Sequence, residues 1–372
     1  MIDRAPSRQK AHGHRWLHSR TIVALLAVLM VGCGSSDGPV SASPSHPSNP
    51  TPTQQLGPGG LTLDEEIGAV IMVGFEGPVT DSIKADWKQR QFGGLLIVNL
   101  NHNGESASAI TDSIGSLRGV SRYRLIAATD QEGGQVCLTV SSVPCAPMPV
   151  GQADMTRMAA GIRALDFDLN LAPVSDVCSG PSSVMWGRCY GTDPGSVAQA
   201  VGSVVDGIHA AQVLSAAKHF PGHGNTTVSS ETQLPRIDES LATLRAHDLP
   251  PFQAAIAHGT DFVLLGHLFY PALDPQRSAD LSTATISLLR SDLAFKGAIL
   301  SDDMEMGAIT TSTPAPEAAV EFLIAGGDMV MVAHHLPVAD ATYDAIRAAV
   351  MTGRLPRSRL DAAVATLLAL RR

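Results

Sequence analysis

Five apolar runs in this 372-residue chain end on side chains that can carry a proton, a charge or a hydrogen bond. Asp130, Gln131 and Glu132 follow the run at 125–129, and Ser175 and Asp176 follow 169–173. Lys218 and His219 close 214–218, His267 follows 262–266, and Asp302 and Asp303 follow 298–301. A polar residue at a strand end is ordinarily just solvated. Carboxylates, an ammonium and imidazoles recurring at five strand ends instead describe a site that can move protons and hold a polar substrate. A carboxylate at such a position stays ionised if a lysine stands beside it, so Lys218 is expected to lower the pKa of Asp302. His219 and His223 are spaced i,i+4, but Pro221 and Gly222 between them preclude the helix on which such a pair would bind zinc. No metal and no cofactor is implied.

Eight such runs, at 69–73, 94–99, 125–129, 169–173, 214–218, 262–266, 298–301 and 329–332, are spaced like βα units rather than like the strands of a sandwich. Between them lie helix-like segments, among them 197–211, 240–258 and 317–325. The last, 358–370, places Leu360, Ala363, Val364, Leu367 and Leu368 at helical spacing, as a helix covering a sheet requires. The alternation predicts a (β/α)8 barrel, whose chemistry belongs at the C-terminal ends of the strands. A doubly wound open sheet would also take eight strands, but no glycine-rich βα phosphate loop supports it. There is no internal repeat.

The 44% hydrophobic content excludes disorder over the whole length. The 35 acidic against 26 basic residues give a formal charge of −9, and an acidic globular part repels a phosphate backbone, so nucleic acid is a poor partner. The basic groups gather early, at Arg4, Arg8, Lys10, Arg15 and Arg20, ahead of an apolar run at 22–31 too short to span a bilayer. That order describes a secretory signal. Gly32-Cys33 after it resembles a bacterial lipobox, in which the cysteine is lipidated and becomes the mature N-terminus. Residues 33–58, rich in Gly, Ser and Pro, then form a flexible tether. The expected order is a signal over 1–32, a lipidated Cys33 with linker over 33–58, and one domain over 59–372, exported and anchored to the outer face of a bacterial membrane. With Cys33 set aside, four cysteines allow three pairings. Their two local clusters favour Cys137–Cys145 and Cys178–Cys189 in an oxidising compartment, and the absence of a CxxC pair argues against zinc.

Three segments resemble glycoside hydrolase family 3. Lys218-His219-Phe220-Pro221-Gly222-His223-Gly224 matches its KHFPGHG segment, Asp130-Gln131-Glu132-Gly133-Gly134 its DQEGG segment, and Ser301-Asp302-Asp303-Met304 its SDD segment. In order and spacing the chain is similar, from about Leu61 to the end, to the compact bacterial β-N-acetylglucosaminidases that act on peptidoglycan fragments. The resemblance implies a (β/α)8 barrel and a retaining mechanism, in which a carboxylate nucleophile works beside a proton donor. It implies Asp302 as nucleophile, Asp130 as an acceptor for sugar hydroxyls, and Lys218 and His219 as donors to the same ring. Trp186-Gly187-Arg188-Cys189-Tyr190-Gly191 stands in the place of a family GxRSFG loop, making Arg188 a further sugar contact. The implied partners are cell-wall amino-sugar glycans.

Two departures bear on activity. Members of this branch carry an Asp-Ser-His triplet after KHFPGHG, whose His is the acid/base and whose Asp orients it. Here the chain runs Asn225-Thr226-Thr227-Val228-Ser229-Ser230-Glu231, with Ser229 at the Asp position and Glu231 at the His position. Gln135 also replaces the arginine that usually follows EGG. Three readings stay open: Glu231 serves as acid/base; the protein binds glycans with little turnover; or His102, His223 or His267 supplies the proton.

Overall fold

The computed structural model describes residues 56–371. Eight parallel strands close into a barrel in chain order: β1 (Ile71–Val73), β2 (Gly94–Leu96), β3 (Ile126–Thr129), β4 (Leu169–Asn170), β5 (Leu214–Phe220), β6 (Phe262–Leu265), β7 (Ala298–Asp303) and β8 (Met329–Val332). β1 pairs with β8 in register Met72↔Met331, which closes the ring. Around it lie α1 (Leu63–Ala69), α2 (Asp81–Arg90), α3 (Ala107–Arg118), α4 (Gln152–Arg163), α5 (Pro194–Ala210), α6 (Leu241–His247), α7 (Leu249–Ala257), the short α8 (Thr283–Ser287) and α9 (Gly307–Thr310), α10 (Ala315–Ala325), α11 (Leu336–Met351) and α12 (Arg357–Leu370). The (β/α)8 expectation holds, because strands covered by helices outside and side chains inside are apolar on both faces. Leu360, Ala363, Val364 and Leu367 of α12 are buried as their spacing predicted.

Several boundaries shift by a few residues from the periodicity, and two of the differences have clear local reasons. Ala69 ends α1 rather than opening β1, since Thr62 and Glu65 form a reciprocal capping box that starts a helix there. The single helix expected over 240–258 is two, α6 and α7, meeting at Asp248. Pro250 and Pro251 lack the N–H that an ongoing helix needs but are tolerated in a first turn.

The ladder is irregular at two places, between Ala217 and Phe220 on β5 and between Leu300 and Asp303 on β7. Such irregularities re-aim side chains that strict alternation would send into the core or the helix layer. They fall on Lys218, His219 and Asp302. Both disulfides join the pairs that clustering favoured, Cys137–Cys145 in the loop after β3 and Cys178–Cys189 in the loop after β4. Cys33, the signal and most of the tether lie outside the described residues.

Candidate active site

At the C-terminal end of the barrel Glu132 is the hub of a buried charge network. Its carboxylate takes two bonds from the Arg188 guanidinium, Nε to Oε2 at 2.9 Å and Nη2 to Oε1 at 2.7 Å. The Lys218 ammonium reaches the same Oε1 at 2.6 Å and also pairs with Asp130. Burial alone would raise the Glu132 pKa, but Lys218 and then Arg188 outweigh it and hold it down to about 2. Burial likewise opposes the Lys218 charge, and Asp130 and Glu132 more than restore it. Glu132, Arg188 and Lys218 are therefore ionised throughout the neutral range. The network aims an ammonium, a guanidinium and the Asp130 carboxylate at one place.

Asp302 stands at the end of β7, its Oδ1 accepting the Asp303 N–H at 2.9 Å. Burial would raise its pKa, but the His219 and His267 rings, that bond and finally Lys218 hold it below the ordinary carboxylate range. Lys218 is thus a lesser influence than expected, because Asp130 and Glu132 take its direct contacts. His219 is oriented by Asp176, Nδ1 to Oδ2 at 2.7 Å, which leaves Nε2 for the open side. Asp176 also takes the His223 N–H at 2.7 Å. His267 is fully buried, with Nδ1 3.0 Å from Asp280 Oδ2 and Nε2 2.8 Å from the Asp303 carbonyl. Both partners are acceptors, so both nitrogens donate and the ring is an imidazolium. Burial works against that charge, yet Asp280 raises the His267 pKa to about 9.

The segment after KHFPGHG folds across this end of the barrel. The Glu231 and Ser230 carbonyls accept the Gly307 and Ala308 N–H groups at 2.9 and 3.0 Å. Gly307 is required there, because a Cβ would stand 2.5 Å from the Thr232 carbonyl oxygen. His223 Nε2 lies 3.2 Å from Ser230 Oγ, and burial followed by the nearby His219 lowers the His223 pKa to about 4, leaving the ring neutral. Glu231 keeps an exposed flank. The protein around its carboxyl, and next the Asp302 carboxylate, raise its pKa above the ordinary range.

A cavity of about 260 Å³ is lined by Asp130, Arg188, Lys218, His219, Glu231 and Asp302, with apolar walls from Met185, Met306 and Met331. A larger one, about 500 Å³, opens between Arg124, Arg163 and Asp261 at the N-terminal ends of the strands. None of the strand-end residues borders it, and barrel chemistry sits at the opposite face, so the smaller cavity is the candidate site.

The Glycosyl hydrolase family 3 N terminal domain matches residues 62–370. The chain belongs to glycosyl hydrolase family 3. It is a glycosidase on that membership, and two curated relatives it matches are named beta-hexosaminidase. The beta-hexosaminidase of Stenotrophomonas maltophilia is 28% identical over 311 residues, covering 78% of this chain and 92% of its own. That of Idiomarina loihiensis is 31% identical over 266 residues, covering 68% and 79%. Among solved structures, a glycoside hydrolase family 3 beta-N-acetylglucosaminidase from Paenibacillus is 31% identical with a TM-score of 0.80. It covers 83% of this chain, which spans 62% of that protein.

Within this family-3 barrel every side chain read from the motifs comes to the one cavity: Asp130, Arg188, Lys218, His219, Glu231 and Asp302. The guanidinium of Arg188 pairs with Glu132, and Asp176 belongs to His219. Of the three histidines that could replace the family acid/base, His223 borders the cavity. His267 is fully buried outside the cavity lining, with both nitrogens engaged. His102 is exposed and paired with Glu105 outside the cavity. Neither Asp303 nor Asp302 caps α9; Asp303 Oδ1 accepts the Glu305 and Ala333 N–H groups. The motifs did not mark Glu132, Asp176 and Asp280 as functional, although the first two stand at strand ends.

Proposed function

We propose that this glycosidase is a retaining β-N-acetylglucosaminidase that releases terminal β-linked N-acetylglucosamine from cell-wall, peptidoglycan-type glycans. Asp302 would be the nucleophile and Glu231 the acid/base. One observation carries the assignment: two carboxyl groups face one cavity with pKa values pushed apart, Asp302 down and Glu231 up. Such a pair is how glycosidases divide nucleophile from acid. An Asp302 oxygen attacks the anomeric carbon while the glycosidic C–O bond breaks, and the departing oxygen takes the Glu231 proton. Glu231, now ionised, removes a proton from water. The water oxygen displaces Asp302 from the anomeric carbon, and the sugar leaves with its configuration retained. Asp130, Lys218, His219 and Arg188 supply acceptors and donors for the hydroxyls of the same ring. The amino-sugar preference is supported by the activity names of the relatives. Export and a lipid anchor rest on the Gly32-Cys33 pattern: Cys33→Ala should move the protein from the membrane to the soluble fraction, and retention would defeat the anchor.

A second reading, a glycan-binding lipoprotein with little turnover, is favoured by one detail. No side-chain hydrogen bond orients the Glu231 carboxyl among the described residues, and Ser229 Oγ is spent on the Glu231 N–H at 3.3 Å. The experiment compares an aryl β-N-acetylglucosaminide with chitobiose. Losing acid assistance costs roughly 100- to 10,000-fold when the leaving group is poor. Glu231→Ala should therefore abolish chitobiose hydrolysis, spare glycosylation by the activated substrate, and let azide speed its turnover. A 2-fluoro sugar should label Asp302. Slow wild-type cleavage of both substrates, unmoved by Glu231→Ala, would establish the binding reading. A rate gain from Ser229→Asp with Glu231→His would show that only the proton donor was lacking.

A further inference from the structure

The cavity holding Asp302 and Glu231 is about 260 Å³, or roughly nine waters' worth of liquid, which is the scale of one sugar ring. A second ring of any β-linked glycan must therefore lie outside it, against the rim. On the β4 side the rim is a single turn whose residues Val184, Met185 and Arg188 line the cavity. Between them stands Trp186, 47% exposed, whereas Trp87 is fully buried. A large aromatic left in water forgoes stabilisation that a flexible loop would recover by folding over it. This turn cannot fold over. Trp186 N–H donates to the Ser183 carbonyl at 3.0 Å, Arg188 N–H to Met185 at 2.9 Å, and Val184 N–H to Thr226 at 2.9 Å. Gly187, at φ +91°, makes the reversal after the indole in the left-handed region open to glycine. Arg188 is clamped to Glu132, and Cys189 is tied to Cys178. The backbone that carries this exposed indole is thus held between residues that line the site.

We propose that Trp186 is the platform of a leaving-group subsite, on which the pyranose next to the scissile bond lays its C–H face. A pyranose has one face of C–H bonds and a rim of hydroxyls, and a rigid indole offers a broad apolar surface at low entropic cost. The ligand class is a β-linked hexosamine or hexose ring. The orientation rests on the hydrolase reading above, but the contact itself does not.

The test uses the Asp302→Asn protein, the indole fluorescence and two ligands, N-acetylglucosamine and chitobiose. Chitobiose should shift the emission and protect it from acrylamide, the monosaccharide should not, and Trp186→Phe should remove the change. In the wild type, Trp186→Ala should raise KM for chitobiose about tenfold, the scale of one aromatic contact. Trp186→Phe should keep most of the affinity. N-acetylglucosaminyl fluoride, whose leaving side carries no ring, should be cleaved at an unchanged rate. Equal losses on both substrates, or protection by the monosaccharide alone, would overturn the proposal. Protection by chitobiose without hydrolysis of any substrate would sink the hydrolase reading and leave the sugar platform standing.

Discussion

Replacing Glu132 by Gln keeps the shape of the hub and removes its charge. Glu132 is 1% exposed and is bonded by two nitrogens of Arg188 and by Lys218. Holding its pKa at about 2 instead of 4.5 amounts, at about 1.4 kcal/mol per unit, to about 3 kcal/mol of stability at neutral pH. Breaking a buried pair by removing one partner gives the same scale, roughly 3–5 kcal/mol. The sign follows from the lowered value: the contribution is complete above the unfolded pKa of 4.5 and is lost as pH falls through the folded value. Urea unfolding should therefore separate wild type and Glu132→Gln by about 3 kcal/mol at pH 7. By pH 3 about 2 kcal/mol of that gap should be gone. A gap below about 1 kcal/mol at pH 7, or one that does not narrow on acidification, would refute the hub.

Asp248, buried behind the KHFPGHG turn and facing Glu239, has its pKa raised to about 9, first by burial and then by that carboxylate. Its folded form holds a proton that the unfolded chain releases above pH 3.8, so Asp248→Asn should stabilise the protein increasingly from pH 5 to 8 and leave it unchanged near pH 3. Destabilisation at pH 8 would contradict this. The His267–Asp280 pair also loses stability as pH rises, but here a favourable contribution is lost rather than a penalty gained. With the imidazole raised to about 9, its contribution is complete below pH 6.5 and disappears as pH rises through 9. The stability gap to His267→Gln should therefore close between pH 7 and 10, and a pH-independent gap would mean a neutral ring. Opening the Cys178–Cys189 loop with a double Ala substitution should cost about 3 kcal/mol on the chain-entropy model and raise KM through Arg188. Unchanged thermal unfolding and unchanged KM would show that the turn holds itself.

What the sequence determined by itself was local. Runs of four to six apolar residues at βα spacing specify strands because the polar/apolar pattern directly encodes which faces meet water, and all eight were legible. The motif residues Asp130, Lys218, His219 and Asp302 were legible because strand ends in a barrel converge, whatever the helices between them do. Cysteines separated by 8 and 11 positions find each other before distant ones do. The replacement of the usual Asp and His by Ser229 and Glu231 could be read only there, one residue at a time. Charge partnership belonged to the tertiary structure. Glu132 meets Arg188 across 56 positions and His219 meets Asp176 across 43, distances set by loop paths that leave no periodic trace. The protonation of His267 depends on having acceptors at both nitrogens, one of them a backbone carbonyl that any residue could have supplied. The opposed pKa shifts of Asp302 and Glu231 exist only once the loop after β5 lies over the end of β7, because an electrostatic field depends on distance and burial, and neither is written in the order of residues.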